Sequence, residues 1–208
     1  RTMLYGSLIA IYPLSQFFGA PVLGALSDKH GRKKVLTLSL FGTFIGYILF
    51  GIGVFTKNVP LLFVSRMIAG LTGGNISVAL SAIADLSSEK DKPKNFGLMG
   101  VAFGLGFIIG PFLGGQLANP VYGFNHSTPF FFASGLTLLN ILLLQLVFTE
   151  TLQNKMHTKL SILTGFRNIS RAFSMPNIRV MFLVVFLLTF GFSFFTQIFQ
   201  IYLIDKFN

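Results

Sequence analysis

The sequence predicts an all-α, polytopic membrane protein with six spans, on two observations. Apolar residues make up 52% of the 208 and charged residues only 11%, with a mean hydropathy of +0.72. A soluble domain carries about a quarter charged residues because its surface must face water, and this chain cannot supply such a surface. The charges are also confined. Residues 2–27, 35–56, 67–84, 95–149 and 180–204 contain no Asp, Glu, Lys or Arg. Runs of this length match the roughly 20 apolar residues a helix needs to cross hydrocarbon. Lipid offers the backbone no hydrogen-bonding partner, so the runs are helices and not open strands.

The spans fall at roughly 4–26, 35–55, 60–84, 96–118, 129–148 and 179–204, each long enough to cross. Charge in the connections alternates. The first loop holds Lys29, Arg32, Lys33 and Lys34, the second only Lys57, and the third Lys90, Lys92 and Lys94. The fourth, residues 119–128, has no charge, and the fifth carries Lys155, Lys159, Arg167, Arg171 and Arg179. Twelve of the sixteen basic residues thus gather on one side. That side is cytoplasmic by the positive-inside bias, which makes loops 27–34, 87–95 and 150–178 cytoplasmic. The net charge of +10 is explained by this topology and excludes a nucleic-acid reading. Arg1 then lies on the outer face. With a cytoplasmic N-terminus an odd number of spans precedes it, and one missing helix is the simplest count.

Other compositional features narrow the chemistry. There is no Cys and there are three scattered His, which gives no metal site. No phosphate-binding loop or cofactor motif appears. With no Trp, the 26 Phe and 5 Tyr must form any aromatic belt. The sequon Asn125-His126-Ser127 lies in an outer loop, where a chance match is the plainer reading. Over residues 156–176, Leu160, Leu163, Phe166, Ile169 and Phe173 recur at intervals of three and four. This spacing predicts an amphipathic helix on the cytoplasmic membrane surface, against the alternative of a solvated linker.

Small residues predict how the spans pack. Gly42 with Gly46, and Gly70 with Gly74, are small-xxx-small pairs, while Gly106, Gly110 and Gly114 form a ridge at intervals of four. Such faces let backbones approach closely in lipid. Pro13 and Pro111 should kink their helices.

The most informative loop is Gly24-Ala-Leu-Ser-Asp28-Lys-His-Gly31-Arg32-Lys33-Lys34. A topology anchor explains its bases but not Asp28 or the glycines. It resembles the signature between helices two and three of the major facilitator superfamily, G-x-L-x-D-x-x-G-R-[RK], at every fixed position. Arg66-Met-Ile-Ala-Gly70 is similar to the fourth-helix R-x-x-x-G signature, with Ala69 where Gln is common. Gly106 to Gly115 resembles the fifth-helix signature of drug/proton antiporters. Glu150-Thr151-Leu152 resembles the Pro-Glu-Thr ending of helix six, with Thr149 in place of the proline. Tyr12 to Phe17, Ala20 to Gly24, Ile83 to Leu86, Asn95 to Gly97 and Pro129 to Phe131 look like tetracycline-type exporters. One position departs: those exporters carry an acid before the third-helix tyrosine, and Gly46 precedes Tyr47 here.

The resemblance implies a partial major-facilitator fold covering helices two to seven of twelve. Residues 1–150 would be most of the N-terminal bundle, 151–178 an inter-bundle linker and 179–208 the first helix of the C-terminal bundle. Helix one and helices eight to twelve would be the missing remainder. It also implies that Asp28, Gly31, Arg32 and Asp85, joined by Glu150, form a cytoplasmic conformational latch. Gly24, Gly70, Gly106, Gly110, Pro111 and Gly114 would be its helix-packing signature.

Three further residues are candidates for a transport path. Apart from Arg179 at the edge of the last, Arg66 is the only charge inside a predicted span; at about 2.5–3.5 kcal/mol to insert, it should face a cavity or partner, or else snorkel from near the helix end. Gln16 and Asn75 are uncharged polar residues deep in spans that either line a path or hydrogen-bond helices together. The expected activity is proton-coupled export of small amphipathic compounds by alternating access. The alternatives are a sugar or metabolite symporter, or a truncated membrane scaffold without transport. In each case the bilayer is the surrounding partner, and no enzyme chemistry is expected.

Overall fold

The computed structural model of the chain describes residues 2–152 and 174–207. In chain order its helices are α1 (Thr2–His30), α2 (Arg32–Phe55), α3 (Val59–Thr72), α4 (Asn75–Leu86), α5 (Lys92–Leu117), α6 (Thr128–Val147) and α7 (Pro176–Phe207). Six stretches of the described residues are long and apolar enough to cross a membrane, as the charge-free runs require. The chain separates into two compact units, Arg1–Leu160 and Ser161–Asn208. The amphipathic helix expected over 156–176 lies, up to residue 173, outside the described residues.

In the first unit α2 is the central helix, packing against α1, α3, α4 and α6. Small residues set these approaches. A Cβ on Gly70 would sit 2.5 Å from the Tyr12 carbonyl oxygen and 2.7 Å from Ser15 Cβ, so α1 and α3 touch through this gap. One on Gly46 would sit 2.8 Å from Ala69 Cβ, and one on Gly42 would collide with Thr72. Dispersion between such closely packed backbones drives helix association where lipid removes the hydrophobic term.

The third span departs from the single helix expected over 60–84. It runs from Val59 to Leu86 but breaks at Gly73 and Gly74 into α3 and α4. Two consecutive glycines each cost about 1 kcal/mol of helix propensity. Gln16 Nε2 donates to the carbonyl of Gly73 at 2.9 Å, answering a backbone group that lipid would leave unpaired. A Cβ on Gly74 would lie 2.5 Å from Ala20 Cα, so α1 also approaches closely at the break. α1 and α5 stay helical through Pro13, Pro21 and Pro111.

The glycine ridge expected on α5 makes no close contact among the described residues. A Cβ on Gly106, Gly110 or Gly114 would meet nothing within 4 Å, and no α5 residue is buried among those described. Within this unit α5 rests along α4 and α6, and the ridge is turned away from that contact. Gly24 also meets nothing within 4 Å; its carbonyl accepts a hydrogen bond from Ser27 Oγ at 2.8 Å.

The two ends of the unit are held differently. At one, Phe50 of α2 packs on Phe130 of α6 with ring centroids 4.5 Å apart. There Asn125 of the charge-free loop accepts from the backbone N–H groups of Ser127 and Thr128 at 2.9 and 3.1 Å, starting α6. At the other end Leu23, Val35, Leu36 and Val78 form the buried core, flanked by Leu26, Ala79, Leu144 and Phe148. This core lies directly beneath the charged helix ends.

In the second unit, Arg179–Thr196 of α7 is apolar enough to cross the bilayer. Phe186, Phe190 and Phe194 stack along it with centroids 5.8 and 6.3 Å apart.

The close approach at Gly70 makes a stability prediction. Gly70→Val overpacks the α1–α3 contact and is expected to cost about 1–3 kcal/mol, read as a lowered thermal midpoint in detergent. Equal midpoints for Gly70→Val and wild type would show that this contact is not close in the folded protein.

Candidate functional site

The site is built where α1, α2, α4 and the segment after α6 meet at the charge-rich face. α1 carries Ser27 and Asp28 in its last turn, and after Gly31 the chain turns into α2, whose first residue is Arg32. Gly31 takes φ +104°, a conformation side chains strongly disfavour. A Cβ there would also collide with the Glu150 carboxylate. Glycine is therefore needed twice at this position, for the turn and for the space.

Arg32 is the centre of the cluster and is 7% exposed. Its Nη1 donates to Asp28 Oδ1 at 2.5 Å and to Ser27 Oγ at 2.6 Å, and its Nε donates to Asp85 Oδ2 at 3.1 Å. Asp85 is the next-to-last residue of α4, so one guanidinium ties α1 to α4. Thr151 Oγ1 donates to the same Asp85 oxygen at 3.4 Å. Charge-assisted bonds of this kind are about twice as strong as neutral ones. A buried charge with both carboxylates present is compensated, whereas removal of one partner leaves the other costly.

Glu150 makes a second connection, to the helix start and not to the guanidinium. Its Oε1 accepts from the backbone N–H of Arg32 at 2.8 Å, and its Oε2 from that of Lys33 at 3.2 Å. These are the first two N–H groups of α2, which have no partner inside the helix. A carboxylate there also meets the positive end of the helix dipole. The N–H groups of Thr151 and Leu152 add two more bonds to Oε1, each at 3.1 Å. Burial works to raise the Glu150 carboxyl, but the backbone N–H groups of Leu152, Arg32, Lys33 and Thr151 outweigh it and hold the carboxyl below its ordinary range. Nearby, Lys33 Nζ donates to the Gln145 carbonyl at 3.0 Å and Gln145 Nε2 to Thr37 Oγ1 at 2.7 Å, fastening α6 to α2.

The structure thus brings Asp28, Gly31, Arg32, Asp85 and Glu150 into one cluster. Ser27 and Thr151 belong to it as well and were missed. Both are ordinary hydroxyl residues; only the place of Ser27 beside Asp28, and of Thr151 beside Glu150, could have marked them. Gln16, Arg66 and Asn75 have separate neighbours. Gln16 closes the α3–α4 break. The Arg66 guanidinium lies 4.2 Å from the centroid of Phe50 and 5.9 Å from that of Tyr12, so it sits among rings from α1 and α2. Asn75 lines a separate cavity of about 340 Å³ with Asn140, between apolar walls that include Leu36, Met99 and Phe148.

The fold and this cluster define a polytopic helical membrane protein whose spans are joined by polar bonds at one face. Its relationships agree. The model of the Major Facilitator Superfamily matches residues 2–208, and the chain belongs to that family. It is 40% identical over 147 residues to the class H tetracycline resistance protein of Pasteurella multocida, covering 71% of this chain and 35% of that protein. It is 34% identical over 206 residues to multidrug resistance protein 1 of Bacillus subtilis, covering 98% of this chain and 50% of that one. Among solved structures it is similar to the human organic anion transporter MFSD10, with a TM-score of 0.65 and 30% identity, over 77% of this chain and 36% of that chain. The chain therefore spans a third to a half of the length of these relatives. As the family requires, it is an integral, multi-pass membrane protein.

Two predictions follow the geometry of Gly31 and Glu150. Gly31→Ala is expected to cost about 1–3 kcal/mol through its backbone conformation, plus the collision with Glu150. Glu150→Ala should then destabilise the Gly31→Ala protein less than it destabilises wild type, a coupling that a double-mutant cycle of thermal midpoints measures. The second concerns pH. Since the folded Glu150 carboxyl lies below its ordinary value, its stabilisation is complete above that value and is lost as pH falls through the lower folded one. The wild-type midpoint should fall more steeply than that of Glu150→Gln across this acidic window. Parallel curves would remove Glu150 from the account.

Proposed function

We propose that the protein to which this chain belongs exports small amphipathic compounds in exchange for protons, by alternating access, with the Arg32 cluster as a latch on one face. The observation that carries the reading is an asymmetry. All three ion pairs among the described residues, Arg32 with Asp28, Arg32 with Asp85, and Lys92 with Glu89, lie at the charge-rich face. At the opposite face α2 and α6 meet through aromatic rings. Polar bonds between helix ends break and re-form with water as the alternative partner. A face closed by them can open at modest cost, as rocking of one bundle against another demands.

The tetracycline and multidrug names of the relatives support the substrate class. Arg66 among Tyr12 and Phe50 adds a cation and flat rings, which suit a compound with an anionic group and an apolar body. The acidic residues of the chain lie in the last three residues of a helix or in a connection: Asp28, Asp85, Glu89, Asp91, Glu150 and Asp205. A mid-membrane proton carrier would then belong to helices outside this segment.

The test is tetracycline accumulation in pump-deficient cells expressing the full-length protein, with and without an uncoupler. Low accumulation, restored by the uncoupler and by Arg66→Ala at equal expression, is the expected result. Asp28→Asn removes a charge-assisted hydrogen bond of about 1.5–3 kcal/mol, enough to shift a two-state equilibrium roughly tenfold or more. It should lower export with membrane abundance unchanged. Accumulation equal to that of empty cells would overturn the tetracycline reading, and unchanged export by Asp28→Asn would remove the latch.

A further inference from the structure

A groove of about 860 Å³ runs along the outside of the cluster, between the end of α1, the first turns of α2 and the end of α6. Its rim carries His30, Lys33 and Lys34, and its floor is Leu26, Val35, Leu38 and Phe41. The order along α2 matters. At 1.5 Å per residue, Leu38 and Phe41 lie about 6 and 10 Å deeper along the helix than Lys34. Leu38 is 64% exposed and Phe41 49%, so the floor is open on the side where hydrocarbon lies.

The rim stays net positive, with Lys33 and Lys34 against the one acid that lines the groove, Glu150. Both Glu150 oxygens accept backbone N–H groups from the α2 start and from the segment after α6. Lys33 Nζ gives one bond to the Gln145 carbonyl, which leaves two of its three protons to donate. The groove therefore offers ammonium groups at headgroup depth above an apolar channel. A free anion would satisfy the rim but leave the channel unfilled; an uncharged lipid would fill the channel and leave the rim unmet.

We propose that this groove seats an anionic phospholipid of the charge-rich leaflet, its phosphate held by Lys34 and Lys33 and one acyl chain laid along Leu38 and Phe41. Basic recesses beside membrane helices on that face suit anionic headgroups. The lipid would bridge α1, α2 and α6 from outside, next to the contacts that Arg32 and Glu150 make from within.

The test uses the full-length protein in nanodiscs of equal phosphatidylglycerol and phosphatidylcholine, released into native mass spectrometry. Wild type should retain phosphatidylglycerol in preference to phosphatidylcholine. Lys34→Gln, a change at an exposed side chain that leaves the fold intact, should lower that retention about fivefold, the effect of one lost cation at a membrane surface. Lys94→Gln, outside the groove, should leave it unchanged. Equal retention of the two lipids, or equal losses in the two variants, would overturn the proposal. So would thermal protection by inorganic phosphate alone that matches protection by phosphatidylglycerol.

Discussion

The guanidinium of Arg32 sets the terms for everything around it. An arginine cannot lose its proton, and it carries five donors in a planar fork. Held at the inner end of a membrane bundle with 7% of its surface exposed, it must find acceptors within the protein. Asp28 supplies one from the helix before it and Asp85 one from α4, with Ser27 filling the gap. That demand explains why α1 continues beyond its apolar stretch, through Asp28 to His30. It explains equally why the chain turns at a glycine between Asp28 and Arg32, because only then do acid and base from successive helices face one another. The small core of Leu23, Val35, Leu36 and Val78 sits just below.

Around this centre the first unit is a bundle of unequal ends. Most polar and charged bonds that link elements far apart in sequence gather near the Arg32 cluster, where carboxylates and hydroxyls from three helix ends converge. Toward the other end, glycines, alanines and phenylalanines let the helices touch mainly through dispersion, at Gly46 against Ala69 and Gly51 against Phe131. Dispersion contacts fade over fractions of an ångström and tolerate small tilts, whereas hydrogen-bonded ions have a narrow range of good geometry. The same helices are therefore held sharply at one end and softly at the other.

Much of this could be read from the chain before its fold was seen, and the limits are physical. Hydropathy located six spans because a bilayer imposes one length and one polarity on every crossing segment. Asp28, Gly31, Arg32 and Asp85 were legible because a motif ties residue type to position. Glu150 was legible as a member but not in its role: capping a helix that begins 118 residues earlier is a tertiary event with no local trace. The break at Gly73–Gly74 was hidden for a similar reason, since only Gln16 from α1 makes it acceptable in lipid. The spacing of the α5 glycines identifies a smooth face but not the surface it meets, and none of the described residues covers it. Arg66 was recognised as costly in lipid, while its aromatic surroundings depended on how three helices pack.

The distance between Glu150 and the helix start it serves has a meaning in time as well as space. A ribosome makes the start of α2 118 residues before it makes the carboxylate that caps it. At about 5–20 residues per second, the interval is on the order of ten seconds. Throughout it, α1 and α2 can enter the bilayer as a hairpin while the first amides of α2 are answered only by water and lipid headgroups. The bonds from Glu150 form when α6 has emerged and its end swings back to the beginning. Chain synthesis and the closing of the bundle are thus ordered events, and the arrival of Glu150 follows the synthesis of the five spans before it.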